Sequence, residues 1–171
     1  LGNIAKVMQD AFGLDQPDYG YLLASIFAYE GTALARARFI EPFVELEPAF
    51  VLRSRLGGRN TTVADVINAI EYAVPAIEVI DSRVQDWAID LPDTLADNGS
   101  TGAVILGGTP RRISELTLRD TRGVLMFNGR EVIAGNTGNI LGNPLSAVAW
   151  LCNRLAAYDV EFAPGQVILP G

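Results

Sequence analysis

The segment FVELEPAFVL at residues 43–52 is the most informative part of the chain. Its β-forming residues predict a strand over 43–54, and side chains two positions apart in a strand point to the same face. Glu45 and Glu47 therefore share one face of an apolar strand, where two like charges repel and resist burial. A cation between them would remove this conflict, and oxygen ligands favour a hard ion, Mg²⁺, Mn²⁺ or Ca²⁺. The alternative is an edge strand on which both carboxylates face water.

A third carboxylate lies in a second apolar run further along the chain. Glu78 is inside AIEVI at 76–80, which belongs to a predicted strand over 75–82. A lone glutamate in such a strand needs a partner, and Glu78 would complete a three-carboxylate site if the two strands are neighbours. Arg83 follows this strand, and it is a candidate ligand for a substrate carboxylate or, alternatively, one half of an ordinary ion pair.

The pattern elsewhere predicts a β-rich α+β fold. Asn128-Gly129 is the two-residue turn of a predicted hairpin over 123–135. The clearest helical pattern covers 144–157, where Asn143 is the N-cap and Pro144 occupies the first turn. A second helix is predicted from Thr62 to Tyr72, with Thr62 and Asp65 as a capping pair. The other predicted elements are a helix over 3–12, strands over 102–107 and 166–169, and a polar loop over 91–102.

Strands outnumber helices in this pattern, and the two do not alternate regularly. A doubly wound sheet needs regular alternation of strand and helix. We therefore expect a mixed β-roll or barrel with flanking helices. The 171 residues suit a single catalytic domain over 1–171.

The composition excludes several classes of function. The net charge of −7 argues against nucleic acid or an anionic membrane as a partner. No apolar run reaches the roughly 18 residues that a membrane helix needs. The chain has no histidine, which removes Ser-His-Asp and Cys-His catalysis and leaves acid–base work to carboxylates, tyrosines, Lys6 or metal-bound water. Cys152 is the single cysteine, so no internal disulfide can form, and a reducing compartment such as the cytoplasm fits.

Several stretches together resemble one enzyme family. The 2-keto-4-pentenoate hydratases and the related 4-oxalocrotonate decarboxylases, of the fumarylacetoacetate hydrolase superfamily, carry such stretches in the same order. They are DQPDYG (15–20), FVELEPAFVL (43–52), VPAIEVIDSR (74–83), DLPDTLADNGSTG (90–102) and NGREVIAGNTGNILGNPLSAVAWLCNRLA (128–156). The resemblance implies the mixed β-roll of the superfamily's C-terminal domain, with Mg²⁺ or Mn²⁺ held by Glu45, Glu47 and Glu78. It also implies that Asp18, and Ser100 with ordered water, serve proton transfer and water addition.

The reaction that the resemblance implies is the addition of water to a 2-hydroxy-2,4-dienoate, which gives a 4-hydroxy-2-keto acid in aromatic catabolism. It further implies a homo-oligomer acting on a small molecule, with a pathway enzyme as a possible associate. Three alternatives are a 4-oxalocrotonate decarboxylase, a C–C bond hydrolase of the superfamily, and a non-catalytic partner subunit with the same fold. The first of these uses the same enolate-stabilising metal, so the sequence pattern separates it poorly from a hydratase.

The chain departs from the family pattern near both ends. A GLTS-like stretch of the family reads Gly2-Asn3-Ile4-Ala5 here, and the family's serine before the final glycine is Pro170. The family lysine lies just upstream of the segment that aligns with Leu1-Gly2. We therefore expect the 171 residues to be a piece of a longer protein.

Overall fold

The computed structural model describes residues 1–4, 9 and 16–171. Three α-helices lie in this part of the chain: α1 (Val63–Ala69), α2 (Leu91–Ala96) and α3 (Pro144–Leu155). Its strands are β1 (Phe27–Tyr29), β2 (Phe43–Leu52), β3 (Leu56–Gly57), β4 (Ile70–Ile80), β5 (Thr101–Leu106), β6 (Arg122–Phe127), β7 (Arg130–Asn136), β8 (Glu161–Phe162) and β9 (Val167–Ile168). The predicted helix over 3–12 falls mostly outside the described residues.

A mixed sheet with the strand order β1-β5-β4-β2-β9 forms the centre of the fold. β1 runs parallel to β5, and the other neighbours in this sheet are antiparallel. In the register of β2 and β4, Glu45 lies opposite Glu78 and Glu47 lies opposite Ala76. Residues directly opposite each other in an antiparallel pair point to the same face, so all three glutamates share one face of the sheet.

The other face of the sheet packs against α1 and α3. Phe50 of β2 is fully buried there, in a core with Val66 of α1 and with Val148 and Cys152 of α3. Cys152 is thus a core residue. Among the described residues, no helix has the length and apolar character that crossing a membrane requires.

Local sequence signals predicted several elements correctly. The hairpin of β6 and β7 turns at Asn128-Gly129, and both residues have the positive φ that such a turn needs. Asn143 caps α3 by accepting a hydrogen bond from the Leu145 backbone amide. The capping box of Thr62 and Asp65 is also present.

Two boundaries differ from the prediction by more than two residues. The helix predicted over 62–72 ends at Ala69, because Ile70 adopts an extended conformation and begins β4. Pairing of β4 with β2 extends the strand to Ile70, five residues before its predicted start. The loop predicted over 91–102 contains the short helix α2, whose capping box is formed by Asp90 and Asp93.

Candidate metal centre and cavity

Glu45, Glu47 and Glu78 converge on one face of the central sheet. Each offers a carboxylate oxygen, and the three oxygens lie within 4.8 Å of one another. Glu47 is 4% exposed and Glu78 is 7% exposed, whereas solvent reaches Glu45. β2 pairs with β9 only at Phe50 and Val51, so the outer edge of its first half pairs with no described strand. The edge-strand alternative therefore describes Glu45, but it does not describe the buried Glu47.

The Glu47 carboxylate has one satisfied and one unsatisfied oxygen. Its Oε2 accepts a hydrogen bond of 2.7 Å from the Gly171 backbone amide. Its Oε1 is buried and has no hydrogen-bond partner among the described residues. Burial raises the pKa of Glu47 well above its ordinary value, and the neighbouring Glu78 raises it further. A buried oxygen without a donor, beside two more carboxylates, fits a bound hard cation such as Mg²⁺.

The other two glutamates differ in their surroundings. Although solvent reaches Glu45, desolvation by the surrounding protein raises the pKa of its carboxyl, and the charge of Glu78 adds to this effect. Glu78 Oε1 accepts a hydrogen bond of 2.6 Å from the Thr101 hydroxyl. Thr101 therefore orients one member of the cluster, a role that the sequence analysis missed. The available signal was its position directly before the predicted strand over 102–107, and the structure pairs that strand with the strand of Glu78.

Asp18 is buried near the same cluster. Its backbone pairs with Gly2 through hydrogen bonds of 3.2 and 3.0 Å, and Asn3 Nδ2 donates to its Oδ2 at 2.7 Å. A side chain at position 2 would collide with the Asp18 carboxylate, so Gly2 permits this close approach. Burial raises the pKa of Asp18, although the hydrogen bond from Asn3 opposes the shift. A carboxyl with a raised pKa can hold a proton for transfer at a higher pH than an ordinary aspartate.

Ser100 is 2% exposed and lies in a tight loop after α2. Its hydroxyl donates a hydrogen bond of 2.8 Å to Asp97 Oδ2. The side chain of Asn98, the next residue after Asp97, holds the loop against Tyr21: its Oδ1 accepts from the Tyr21 amide at 2.7 Å, and its Nδ2 donates to the Tyr21 carbonyl at 2.8 Å. These two hydrogen bonds connect the loop of Ser100 to the segment that contains Asp18 and Tyr21.

Arg83 lies behind this loop. Its Nε is 2.6 Å from Asp97 Oδ1, its Nη2 donates to the Asp97 carbonyl at 2.7 Å, and its Nη1 donates to the Asp81 carbonyl at 2.7 Å. Most of its five donors are therefore used by the protein itself. These bonds favour the ion-pair alternative, and contact of Arg83 with a substrate carboxylate stays a prediction.

One large cavity joins these groups. It measures about 1070 Å³, and Asp18, Ser100 and the three glutamates of the cluster all line it. Apolar side chains also line the cavity: Phe43, Trp87, Ile89, Val124 and Ile133. Phe43 and Trp87 pack edge to face, with ring centroids 5.2 Å apart. The cavity thus combines a compact acidic cluster with apolar walls, which is the usual make-up of a small-molecule site.

The chain is similar in sequence to enzymes that act on small molecules. The chain is 41% identical over 177 residues to the 2-oxo-hept-4-ene-1,7-dioate hydratase of Escherichia coli, and the match covers 100% of this chain and 66% of that protein. The chain is 38% identical over 165 residues to a 2-hydroxypent-2,4-dienoate hydratase of Pseudomonas putida. This match covers 94% of this chain and 72% of the relative. The chain spans just under two thirds of the length of most curated relatives that it matches. No protein-family model matches it.

Solved structures show the same fold. The 4-oxalocrotonate decarboxylase from Pseudomonas putida G7, complexed with magnesium and adipate, superposes with a TM-score of 0.95 at 34% identity, over 99% of this chain and 65% of that chain. A fumarylacetoacetate hydrolase family protein from Yersinia pestis CO92 superposes with a TM-score of 0.64 at 12% identity, over 99% of this chain and 77% of that one. The predicted α+β fold of the fumarylacetoacetate hydrolase superfamily is thereby confirmed.

The chain belongs to the family of 2-keto-4-pentenoate hydratases and related 2-hydroxydienoate hydratases.

Proposed function

We propose that the protein carrying this chain is a divalent-metal-dependent hydratase, a hydro-lyase that converts 2-hydroxy-2,4-dienoates to 4-hydroxy-2-keto acids in aromatic catabolism. The observation that carries the proposal is the buried Oε1 of Glu47, which has no hydrogen-bond partner within residues 1–4, 9 and 16–171. It belongs to a three-carboxylate cluster that lines a cavity with Asp18 and Ser100. The curated relatives named as hydratases of such substrates support it.

Glu45, Glu47 and Glu78 would hold the cation, and the all-oxygen ligand set favours Mg²⁺, with Mn²⁺ as the second choice. A structure of the related decarboxylase that contains magnesium supports this choice. When bound, the ion would supply Lewis acidity toward the carboxylate and 2-oxygen of the substrate.

The chain's own residues would then carry out proton transfer and water addition. In the net reaction, the dienol loses its hydroxyl proton, carbon 5 gains a proton, and water adds hydroxyl to carbon 4 and hydrogen to carbon 3. Asp18 would hold and deliver a proton, and the raised pKa that burial gives its carboxyl supports this role. Ser100 lines the same cavity and would hold the water. The apolar walls around Phe43 and Trp87 would exclude other water from the reacting carbons.

The test is a hydration assay with product identification. The purified full-length protein is mixed with Mg²⁺ and 2-hydroxypenta-2,4-dienoate, and loss of dienol absorbance is followed while NMR identifies the product. We expect 4-hydroxy-2-oxopentanoate, with activity abolished by EDTA and restored by Mg²⁺. Asp18→Asn should lower kcat about 100-fold and leave Mg²⁺ binding unchanged. If the dienol only ketonises, as it does without enzyme, the hydratase proposal is wrong and the decarboxylase and the non-catalytic subunit remain as accounts.

A 4-oxalocrotonate decarboxylase is the second candidate. The favouring observation is the TM-score of 0.95 with a decarboxylase, at 34% identity. Release of CO₂ from 4-oxalocrotonate, without hydration of the dienoate, would support it over the hydratase. The solved structures that are named as hydrolases match below 20% identity, so they support the fold and not a hydrolase activity for this chain.

We also propose that the protein acts as a homo-oligomer in the cytoplasm. Large apolar side chains are exposed on the β6–β7 hairpin, including Met126, Phe127, Val132 and Ile133. Such a cluster suits a protein–protein contact. The single buried cysteine suits a reducing compartment. Sedimentation velocity of the full-length protein would test the oligomeric state.

A further inference from the structure

The backbone of the loop that carries Ser100 is held in an unfavourable conformation. Asn98, Gly99 and Ser100 follow one another with φ values of 58°, 65° and 57°. Side chains other than glycine resist this left-handed region, and it persists only where the surroundings fix it. Contacts with neighbouring residues must therefore stabilise the conformation of Ser100.

Asp97 is the centre of these contacts. Its Oδ2 accepts hydrogen bonds from the Ser100 hydroxyl at 2.8 Å and from the Arg83 amide at 3.1 Å. Its Oδ1 is 2.6 Å from Arg83 Nε, and its side chain is only 9% exposed. The guanidinium thus balances the charge of Asp97 and fixes the plane of its carboxylate. Asp97 does not line the cavity, whereas Ser100 does.

The direction of the hydrogen bond between Ser100 and Asp97 decides what Ser100 can offer to a ligand. A serine hydroxyl has one proton and two lone pairs, and an ionised carboxylate can only accept. The single proton of Ser100 is therefore used on Asp97. The oxygen that remains available to the cavity can accept a hydrogen bond but cannot donate one.

We propose that Asp97, braced by Arg83, is a positioning residue that fixes the Ser100 hydroxyl as a pure hydrogen-bond acceptor facing the cavity. This inference rests on the proposed hydratase function, in which the acceptor binds a hydrogen of the water that adds to carbon 4. Ser100 neither gains nor loses a proton in this role. Asp97 itself touches no substrate.

Asp97→Asn tests the proposal with a nearly isosteric change. The amide oxygen should stay with the Arg83 guanidinium, so that the amide nitrogen faces Ser100 and donates to its oxygen. The weaker hydrogen bond from the Arg83 backbone amide to this position is then lost. The serine proton then points into the cavity, and the acceptor becomes a donor. We expect kcat for dienoate hydration to fall about 100-fold, as when one preorganised hydrogen bond to a reacting group is removed. KM should change little, and Mg²⁺ affinity should stay the same. Asp97→Glu keeps a carboxylate and should recover part of the rate. Asp93→Asn, an aspartate outside the cavity lining, is the matched control and should leave kcat unchanged.

A double-mutant comparison separates positioning from a merely structural role. In a Ser100→Ala background, Asp97→Asn should have no further effect on kcat, because its action passes through the serine. Multiplicative effects of the two changes would overturn the proposal, as would loss of Mg²⁺ affinity in Asp97→Asn.

A neutron crystal structure of the wild-type protein tests the hydrogen position without any activity. We expect the Ser100 deuterium between Oγ and Asp97 Oδ2. A deuterium that points into the cavity would overturn the inference even in an active hydratase. Conversely, an inactive wild type with the expected deuterium position would reject the hydratase function and retain the role of Asp97.

Discussion

At the scale of single residues, Glu47 carries the strongest requirement for a cation. Its buried Oε1 receives no hydrogen bond from the part of the chain that the structure describes, and two other carboxylates offer oxygens within 4.8 Å. Without a cation, ionising this group in the folded protein places an unpaired charge in an apolar setting, which costs free energy. This cost raises the pKa of Glu47 above its ordinary value. The cluster therefore destabilises the metal-free protein at neutral pH and becomes favourable when a cation binds.

The first prediction is a pH dependence of metal-free stability. Because the folded-state pKa of Glu47 lies above its ordinary value of 4.5, the folded protein binds more protons at this site than the unfolded chain. This site's contribution to stability is therefore largest below pH 4.5 and is lost as the pH rises through the folded pKa. In EDTA, Glu47→Gln should gain Tm relative to wild type as the pH rises from about 5 to 8. A Tm difference that does not change with pH would contradict this account of Glu47.

The second prediction concerns Thr101, which donates to Glu78 Oε1. Groups that orient a metal ligand typically contribute 10–100-fold to metal affinity. Thr101→Val keeps the shape of the side chain but removes the donor, so Mg²⁺ affinity should fall about tenfold or more. Thr101→Ser keeps the hydroxyl and is the matched control. Mg²⁺ binding is measured by calorimetric titration. Equal Mg²⁺ affinities for the two variants would show that the hydrogen bond from Thr101 to Glu78 does not contribute to metal binding.

At the scale of secondary-structure elements, α3 is anchored by its N-cap. The Asn143 side chain accepts from the Leu145 amide, and α3 buries Val148, Leu151 and Cys152 against the sheet. Asn143→Ala should cost about 1 kcal/mol of unfolding free energy, or roughly 2–4 °C in Tm. Asn143→Asp keeps an acceptor at the cap and should stay near wild type. Thermal unfolding measures both variants, and an unchanged Tm in Asn143→Ala would contradict the assigned cap.

The elements that sequence predicts well are those fixed by local chemistry. The Asn128-Gly129 turn and the caps at Thr62 and Asn143 depend on residues within a few positions of each other. The boundary between α1 and β4 depends instead on pairing of Ile70 with Leu52 of β2, which is distant in sequence. The helix α2 was missed because its capping pair, Asp90 and Asp93, lies in a segment rich in other small polar residues.

The same division applies to the site. Alternation along a strand placed Glu45 and Glu47 on one face, and the apolar setting of Glu78 indicated a need for a partner. The register that puts Glu45 opposite Glu78 could not be predicted, because it depends on long-range strand pairing. Asp97 and Thr101 were missed for a similar reason: their roles depend on contacts with Ser100, Arg83 and Glu78 in the folded chain.

At the scale of the whole molecule, the two faces of the central sheet have different roles. One face packs on α1 and α3 and holds the main core, while the other presents the acidic cluster to a cavity of about 1070 Å³. Residues near both ends of the chain contribute to the cavity: Gly2 pairs with Asp18, and Gly171 donates to Glu47. The solved decarboxylase structure has the same fold, and the chain belongs to a family of enzymes that act on small molecules.

The most direct test of the metal centre is a calorimetric titration of Mg²⁺ into the full-length protein at pH 7.5, for wild type and for Glu47→Gln. We predict one Mg²⁺ per chain in wild type and an affinity at least about tenfold lower in the variant, with unchanged circular dichroism. Saturation with Mg²⁺ at 100 times Kd should also stabilise wild type by about 2.7 kcal/mol. Superimposable isotherms for the two proteins, or no binding to wild type, would contradict the assignment of the three glutamates as a metal site.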